Sequence, residues 1–259
     1  MTQTSSPTPP ERVLVLGGGR LGAVLARALH AASLVTLGPF GRDDALPDAD
    51  IALLAVPDAQ IADAARRARA HAPLVGHVSG ATALTDVDFG LHPLQTFTGD
   101  ETPAVFHDLG VAVSGRTPHA LATAIGLART LGADPFEIYD AHRAEYHAAA
   151  SFASNFVLTV LDAAERLARD AGVDRARLAP LVHRTVDNWV AVGAAPALTG
   201  PISRGDTAIV ERQRAAASAA GRAALFDALA TETRRLADPA SDPAPDATVD
   251  PPSIPKDPA

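Results

Sequence analysis

The stretch Arg12-Val-Leu-Val-Leu-Gly-Gly-Gly-Arg-Leu-Gly22 constrains this chain more than any other. An apolar run breaks into Gly17-x-Gly19-x-x-Gly22 and leads directly into an Ala/Leu-rich helical pattern over residues 21–32. Strand, tight turn and helix N-terminus in that order form a cradle for a pyrophosphate. Gly17 permits the turn, Gly19 lets a ligand approach the backbone, and Gly22 lets helix and strand pack closely. Arg20 and Leu21 open the helix, whose free N–H groups and positive dipole end attract phosphate. A glycine-rich turn without a ligand is the alternative, and the ordered strand, glycines and helix argue against it.

A dinucleotide site of this kind usually carries an acid at the end of the second strand, about 20 residues further on, for the ribose 2′-hydroxyl. Here the second strand is expected over residues 33–37, and the first charged residue after it is Arg42. An arginine offers a bidentate fork to a 2′-phosphate, which a carboxylate would repel. The expected cofactor is therefore NADP rather than NAD; Asp43 or Asp44 reaching back to the ribose is the alternative. A third strand is expected over residues 50–56, a helix over 59–70 and a fourth strand over 74–78. This rhythm predicts a doubly wound, mostly parallel α/β sheet. Ligands of such sheets lie at the carboxyl ends of the strands, so Val56, Pro57 and Ser79 are expected to line the cofactor. Asp58 is read as the N-cap of its helix.

The bulk properties bound the rest. The 259 residues suffice for two modest domains, and a net charge of −8 argues against a nucleic-acid surface. No apolar run is long enough to span a bilayer, residues 1–10 lack the apolar segment of a signal peptide, and a cytoplasmic protein is expected. Without cysteine there is no disulfide or thiol nucleophile, and the nine histidines form no ligand-spaced cluster, so no metal is expected. Residues 1–10 and the Pro/Asp/Ala-rich 238–259 are read as a disordered leader and tail. The single lysine, Lys256, lies in that tail, so a lysine acid/base is not available to a folded site.

After a last strand near residues 136–139 the pattern turns helical. A long helix is expected over 141–171, with an apolar stripe through Phe152, Phe156, Val160, Ala164 and Leu167; further helices are expected over 175–192 and 206–237. The domains are thus set at 11–140 and 141–237. On the long helix His147 and Ser154 fall within about 20° of each other at 100° per residue, with Ser151 between and Asn155 on the edge. Two further boxes carry polar groups: Leu91-His92-Pro93-Leu94-Gln95-Thr96-Phe97, and Leu198-Thr-Gly-Pro-Ile-Ser203-Arg204-Gly205-Asp206. Arg204 is a candidate carboxylate clamp, Thr199 and Ser203 are candidate cap or ligand hydroxyls, and Asp206 is a candidate N-cap.

Together with His77-Val-Ser-Gly-Ala81, Tyr146-His-Ala-Ala-Ala and Phe152-Ala-Ser-Asn-Phe156, these boxes resemble a group within the 6-phosphogluconate dehydrogenase-like superfamily. It is the Rossmann-like oxidoreductase family whose helical C-terminal domain was long catalogued as of unknown function. The resemblance covers residues 11–236. It implies a Rossmann domain followed by an all-helical, 6-phosphogluconate dehydrogenase C-terminal-like domain, and a homodimer. Some members look like an alternative ketopantoate reductase, which implies NADPH-dependent reduction of a small 2-keto acid. This chain departs from ordinary ketopantoate reductases by lacking their catalytic lysine. A histidine titrates near working pH and is the natural substitute donor. His147 is the first candidate and His92 the second, with Asn155 and Ser154 holding the carbonyl oxygen or a substrate hydroxyl and Arg204 the carboxylate. The rival expectations are a non-catalytic NAD(P)-binding redox sensor or regulatory protein, and a prephenate or arogenate dehydrogenase-like enzyme or imine reductase.

Overall fold

A computed structural model describes residues 12–238; the expected leader and most of the expected tail lie outside the described residues. The chain divides into two compact units, one ending at Phe156 and one beginning at Val157. The division lies beyond the 140/141 boundary read from the sequence, so the segment bearing Tyr146, His147, Ser154 and Asn155 belongs to the first unit.

The first unit is built on a seven-stranded sheet of order β2-β1-β3-β4-β5-β6-β7. Its strands are β1 (Arg12–Leu16), β2 (Val35–Phe40), β3 (Ile51–Leu54), β4 (Leu74–His77), β5 (Phe89–Pro93), β6 (Gly110–Gly115) and β7 (Asp134–Glu137). The first five pair in parallel, β6 runs antiparallel to β5, and β7 is again parallel to β6. Helices α1 (Arg20–Ala31), α2 (Ile61–Ala68) and α3 (Pro118–Thr130) connect strands. Residues of β3 are buried throughout because both faces of the sheet are covered. One apolar cluster joins Val13, Val15 and Leu53 to Leu25 and Leu29 of α1 and Leu127 of α3. The opposite cluster joins Leu14, Leu16 and Leu54 to Ile61 and Ala65 of α2. Each fully buried aliphatic side chain contributes about 1.5–3 kcal/mol, and the adjacent residues of β1 divide that contribution between the two faces. Strand β2 runs three residues past its expected end, which leaves Arg42 two residues beyond Phe40.

The expected uninterrupted helix over 141–171 is a correction. A short 3₁₀ turn, Asp140–His142, leads into α4 (Arg143–Ser151), then a π-helical turn at Phe152–Phe156, then α5 (Val157–Asp170). The wider π turn rotates everything after Ser151 off the α-helical wheel. Within the expected apolar stripe Phe152 and Phe156 are 68% and 48% exposed, while Ala164 and Leu167 are half-buried.

The second unit holds α5, α6 (Arg175–Val192), the short α7 (Ala194–Ala197), α8 (Thr207–Ala219) and α9 (Ala223–Ala237). The helix expected over 206–237 is two helices, because the chain turns at Gly221, whose φ is +69°. The Arg222 N–H donates to the Ala217 carbonyl and the Gly221 N–H to that of Ser218, which closes α8 with a Schellman turn. Arg214 then bridges to Asp227 with two bonds of 2.7 Å, joining α8 to α9.

Candidate functional site

The glycine box folds as its spacing demands. Gly17 follows β1 with φ +102°, and a Cβ there would collide with the Ala55 carbonyl at the end of β3. A Cβ on Gly22 would collide with the Gly17 carbonyl. Gly19 forms the N-cap of α1 with open space in front of it and no side chain capping the helix, so the first-turn N–H groups are available to a ligand. A cavity of about 400 Å³ opens here, lined by Gly17, Gly19, Phe40, Arg42, Val56, Pro57 and Arg67 among others. Arg67 of α2 pins the loop that carries Arg42, donating to the carbonyls of Gly41 (2.8 Å) and Asp44. The Asp44 carboxylate accepts from the Gly41 N–H at 2.7 Å, so it serves the loop. Arg42 is exposed and makes no hydrogen bond or ion pair among the described residues. Glycine backbone and a helix N-terminus on one cavity suit the pyrophosphate of a dinucleotide.

A second group of side chains gathers at the carboxyl ends of β4 and β5. His92 Nδ1 lies 2.6 Å from the Tyr146 hydroxyl of α4, with the two rings edge to face at 5.5 Å. The His147 ring is 6.5 Å from that of His92, and Tyr146 packs on Phe136 at 6.1 Å. Gly80 makes room for the imidazole, since a Cβ there would come within 2.9–3.0 Å of its ring atoms. Burial, then the charges of His147, Arg143 and His77, push His92 down to about 4 against a weaker opposing pull from Asp58. Burial pushes Tyr146 up to about 12, opposed by Arg143. Both groups are therefore neutral at neutral pH.

Beneath them lies a buried polar network. Arg143, 4% exposed, donates from Nε to Asp140 Oδ1 (2.6 Å) and from Nη2 to Ser114 Oγ (2.5 Å). Asp140 Oδ2 accepts from the Leu84 N–H at 3.0 Å. Partial burial raises the Asp140 pKa, but these bonds and the Arg143 charge outweigh it, and the carboxyl is held below its usual range. His77 is fully buried; its Nδ1 accepts from the Ser79 N–H at 3.2 Å, while its Nε2 has no hydrogen-bond partner. Burial, then the Arg143 charge, lowers its pKa.

Several expected residues stand elsewhere or do other work. Ser79 Oγ accepts from the Ala81 and Thr82 N–H groups and donates to Thr82 Oγ1, so its hydroxyl shapes the turn after β4. Leu21 packs against the apolar cluster behind α1, while Arg20 is exposed at the helix start. Asp58 does not cap its helix: it lies inside a 3₁₀ turn, and Pro57 and Gln60 hold the cap positions. Ser154 and Asn155 lie on the π turn, where Ser154 Oγ donates to Asn155 Oδ1 at 3.0 Å. In the second unit Arg204 is bound to Asp206 at 3.1 Å, and Ser203 Oγ donates to the Gly200 carbonyl. Asp206 occupies the N-cap of α8 without a side-chain cap bond, since its carboxylate faces Arg204. The sequence reading missed Tyr146, Arg143, Asp140 and Ser114 as site residues. The one local signal was the Asp140/Arg143 spacing of three, which places both groups on one side of a helical turn.

Among the described residues no cluster of three or more histidine or acidic side chains could hold a metal, and no helix is long and apolar enough to cross a membrane. Residues 110–233 match a family described as a domain of unknown function, DUF2520. No curated protein matches the sequence. Among solved structures, the chain is similar to a "putative NADP oxidoreductase" from Bacteroides fragilis, at 18% identity and a TM-score of 0.77, covering 87% of this chain and 98% of that one. It is also similar to a protein from Thermotoga maritima at 22% identity and a TM-score of 0.68, covering 88% and 99%. A pyrroline carboxylate reductase from Plasmodium falciparum with NADP bound is similar at 11% identity and a TM-score of 0.55, covering 87% and 98%. At these identities the likeness speaks for the fold, a Rossmann-type α/β unit followed by helices.

Proposed function

We propose that this chain is an NADPH-dependent oxidoreductase that reduces a small 2-keto acid, with ketopantoate the first substrate to try. One observation carries the reading: the glycine-lined cavity with Arg42 and the His92–Tyr146–His147 group both lie at the carboxyl ends of strands of one sheet. Ligands of open α/β sheets bind along that edge. NADPH would rest its pyrophosphate on Gly17–Gly19 and the α1 N-terminus and its 2′-phosphate on Arg42, and when bound it supplies a hydride. The protein's own task is then to orient a carbonyl and deliver a proton, and the histidine pair His92/His147 supplies it. The resemblance to ketopantoate reductases and the names of the similar structures support an oxidoreductase; the lone Arg42 supports NADP over NAD.

A homodimer is part of the proposal, supported by the apolar side chains that α6 leaves exposed, Leu181, Trp189 and Val190 at 66%, 58% and 72%. A cytoplasmic setting accords with NADPH as reductant. The test is ketopantoate-dependent oxidation of NADPH by the purified chain, followed by nicotinamide absorbance with NADH in parallel. Turnover preferring NADPH supports the proposal. Tight NADPH binding without turnover of any 2-keto acid favours a redox sensor, and binding of neither cofactor removes the reading.

A further inference from the structure

We propose that Tyr146 and His92 act as one proton-donating pair: the Tyr146 hydroxyl donates to His92 Nδ1, and His92 Nε2–H gives its proton to the carbonyl oxygen being reduced. The inference rests on the reductase reading above and assigns its donor.

The contact places the two groups in one relay, in which we take Tyr146 as the donor. An oxygen–nitrogen separation of 2.6 Å is a strong hydrogen bond. A neutral imidazole that accepts at Nδ1 carries its proton at Nε2. His92 Nε2 makes no hydrogen bond among the described residues, yet it is not a buried orphan as His77 Nε2 is, so it stays open to a ligand. Gly80 fixes the ring from one side and Tyr146 from another, which removes rotational freedom before any substrate arrives. The groups that face His92 electrostatically are His147, Arg143, His77 and Asp58; the first three favour its neutral form and Asp58 opposes them.

Tyr146 solves a chemical difficulty. A neutral imidazole giving up Nε2–H alone would become an imidazolate, an anion of very high energy. As the carbonyl π bond opens and its carbon gains the hydride pair of electrons, the oxygen takes the proton from Nε2. The Nε2–H bond breaks, the Tyr146 O–H bond breaks and an Nδ1–H bond forms, so the ring remains neutral throughout. The negative charge ends on the Tyr146 oxygen, where burial opposes it and the Arg143 charge offsets part of that cost; a phenol is still a stronger acid than a neutral imidazole N–H. The Nδ1–H proton then returns to the Tyr146 oxygen as Nε2 takes a proton from water, which restores the starting tautomer, and one proton is consumed per carbonyl reduced.

Tyr146→Phe is the decisive variant, because the ring that packs on Phe136 is kept and only the hydroxyl is lost. Two readouts are needed: ¹⁵N histidine spectra of the full chain without cofactor, with His92 assigned through His92→Gln, and ketopantoate reduction by NADPH. In the unmodified chain His92 is expected as a single Nε2–H tautomer; in Tyr146→Phe the tautomers mix. The variant's kcat is expected to fall about 10²–10³-fold while NADPH affinity and KM change little, which mere structural damage would not produce. A mixed or Nδ1–H tautomer in the unmodified chain overturns the proposal whether or not the enzyme turns over. So does an unchanged kcat in Tyr146→Phe, above all if His147→Ala abolishes turnover. An unmodified chain with the Nε2–H tautomer but no 2-keto acid turnover removes the carbonyl as acceptor, and overturns this proposal together with the reductase reading.

Discussion

Replacing His92 by glutamine should flatten the acid sensitivity of the first unit. The histidine's pKa is about 4 in the folded protein against an ordinary 6.5, with burial as the leading cause. The folded state therefore binds fewer protons than the unfolded chain between these values. Stability from this group is fully present above pH 6.5 and is lost as the pH falls towards 4. Integrating the linkage relation over that interval gives a loss of about 2 kcal/mol at pH 5 and about 3 kcal/mol at pH 4, upper figures because the ring keeps some contact with water. The glutamine side chain cannot titrate, while its amide can still meet the Tyr146 hydroxyl. The assay is urea unfolding of both chains at pH 7 and pH 5, comparing the change with pH rather than the absolute stability. That difference cancels the carboxylates common to both chains. Far-UV circular dichroism must report it, since the single tryptophan, Trp189, belongs to the second unit. Equal pH dependence in the two chains would refute the claim that His92 is held neutral by its surroundings.

Three further outcomes are expected. Arg42→Ala should weaken NADPH binding about 10–100-fold and leave NADH nearly unchanged in a direct titration, since a charge-assisted bond to phosphate contributes about 1.5–3 kcal/mol; equal losses for both cofactors would place the 2′-phosphate elsewhere. Gly17→Ala combines positive φ with a collision at the Ala55 carbonyl, so NADPH binding should be abolished and stability should fall by at least about 1–3 kcal/mol in thermal unfolding. Gly221→Ala strains only the left-handed C′ position between α8 and α9, with open space around it. It should cost about 1 kcal/mol without altering cofactor affinity.

The parts of this protein legible in its sequence are those in which cause and consequence sit within one or two turns of chain. The cradle at Gly17–Gly22 was readable because each glycine answers a local demand: a positive φ, an open approach, a close packing contact. The place of Arg42 on the cavity wall follows from the short loop after β2, and α6 coincided with its expected bounds because periodicity is local. The same reasoning failed wherever the decision was made at long range. The π turn at Phe152–Phe156 invalidated an angle computed for a regular helix. Tyr146 was not read as a site residue because its partner His92 lies 54 residues away.

Local rules thus sufficed for a glycine-cradled strand–turn–helix, a parallel sheet fed by it and a helical remainder, since these follow from φ preferences, apolar periodicity and capping. The chemistry at the sheet edge came from long-range packing instead. Folding brought Tyr146 to His92 across 54 residues and Arg143 to Ser114 across 29, and the antiparallel pairing of β5 and β6 sets Ser114 opposite Gly90, two residues from His92. It also selected the neutral state of His92, since a pKa depends on the burial and charges around a group and not on its neighbours in the chain.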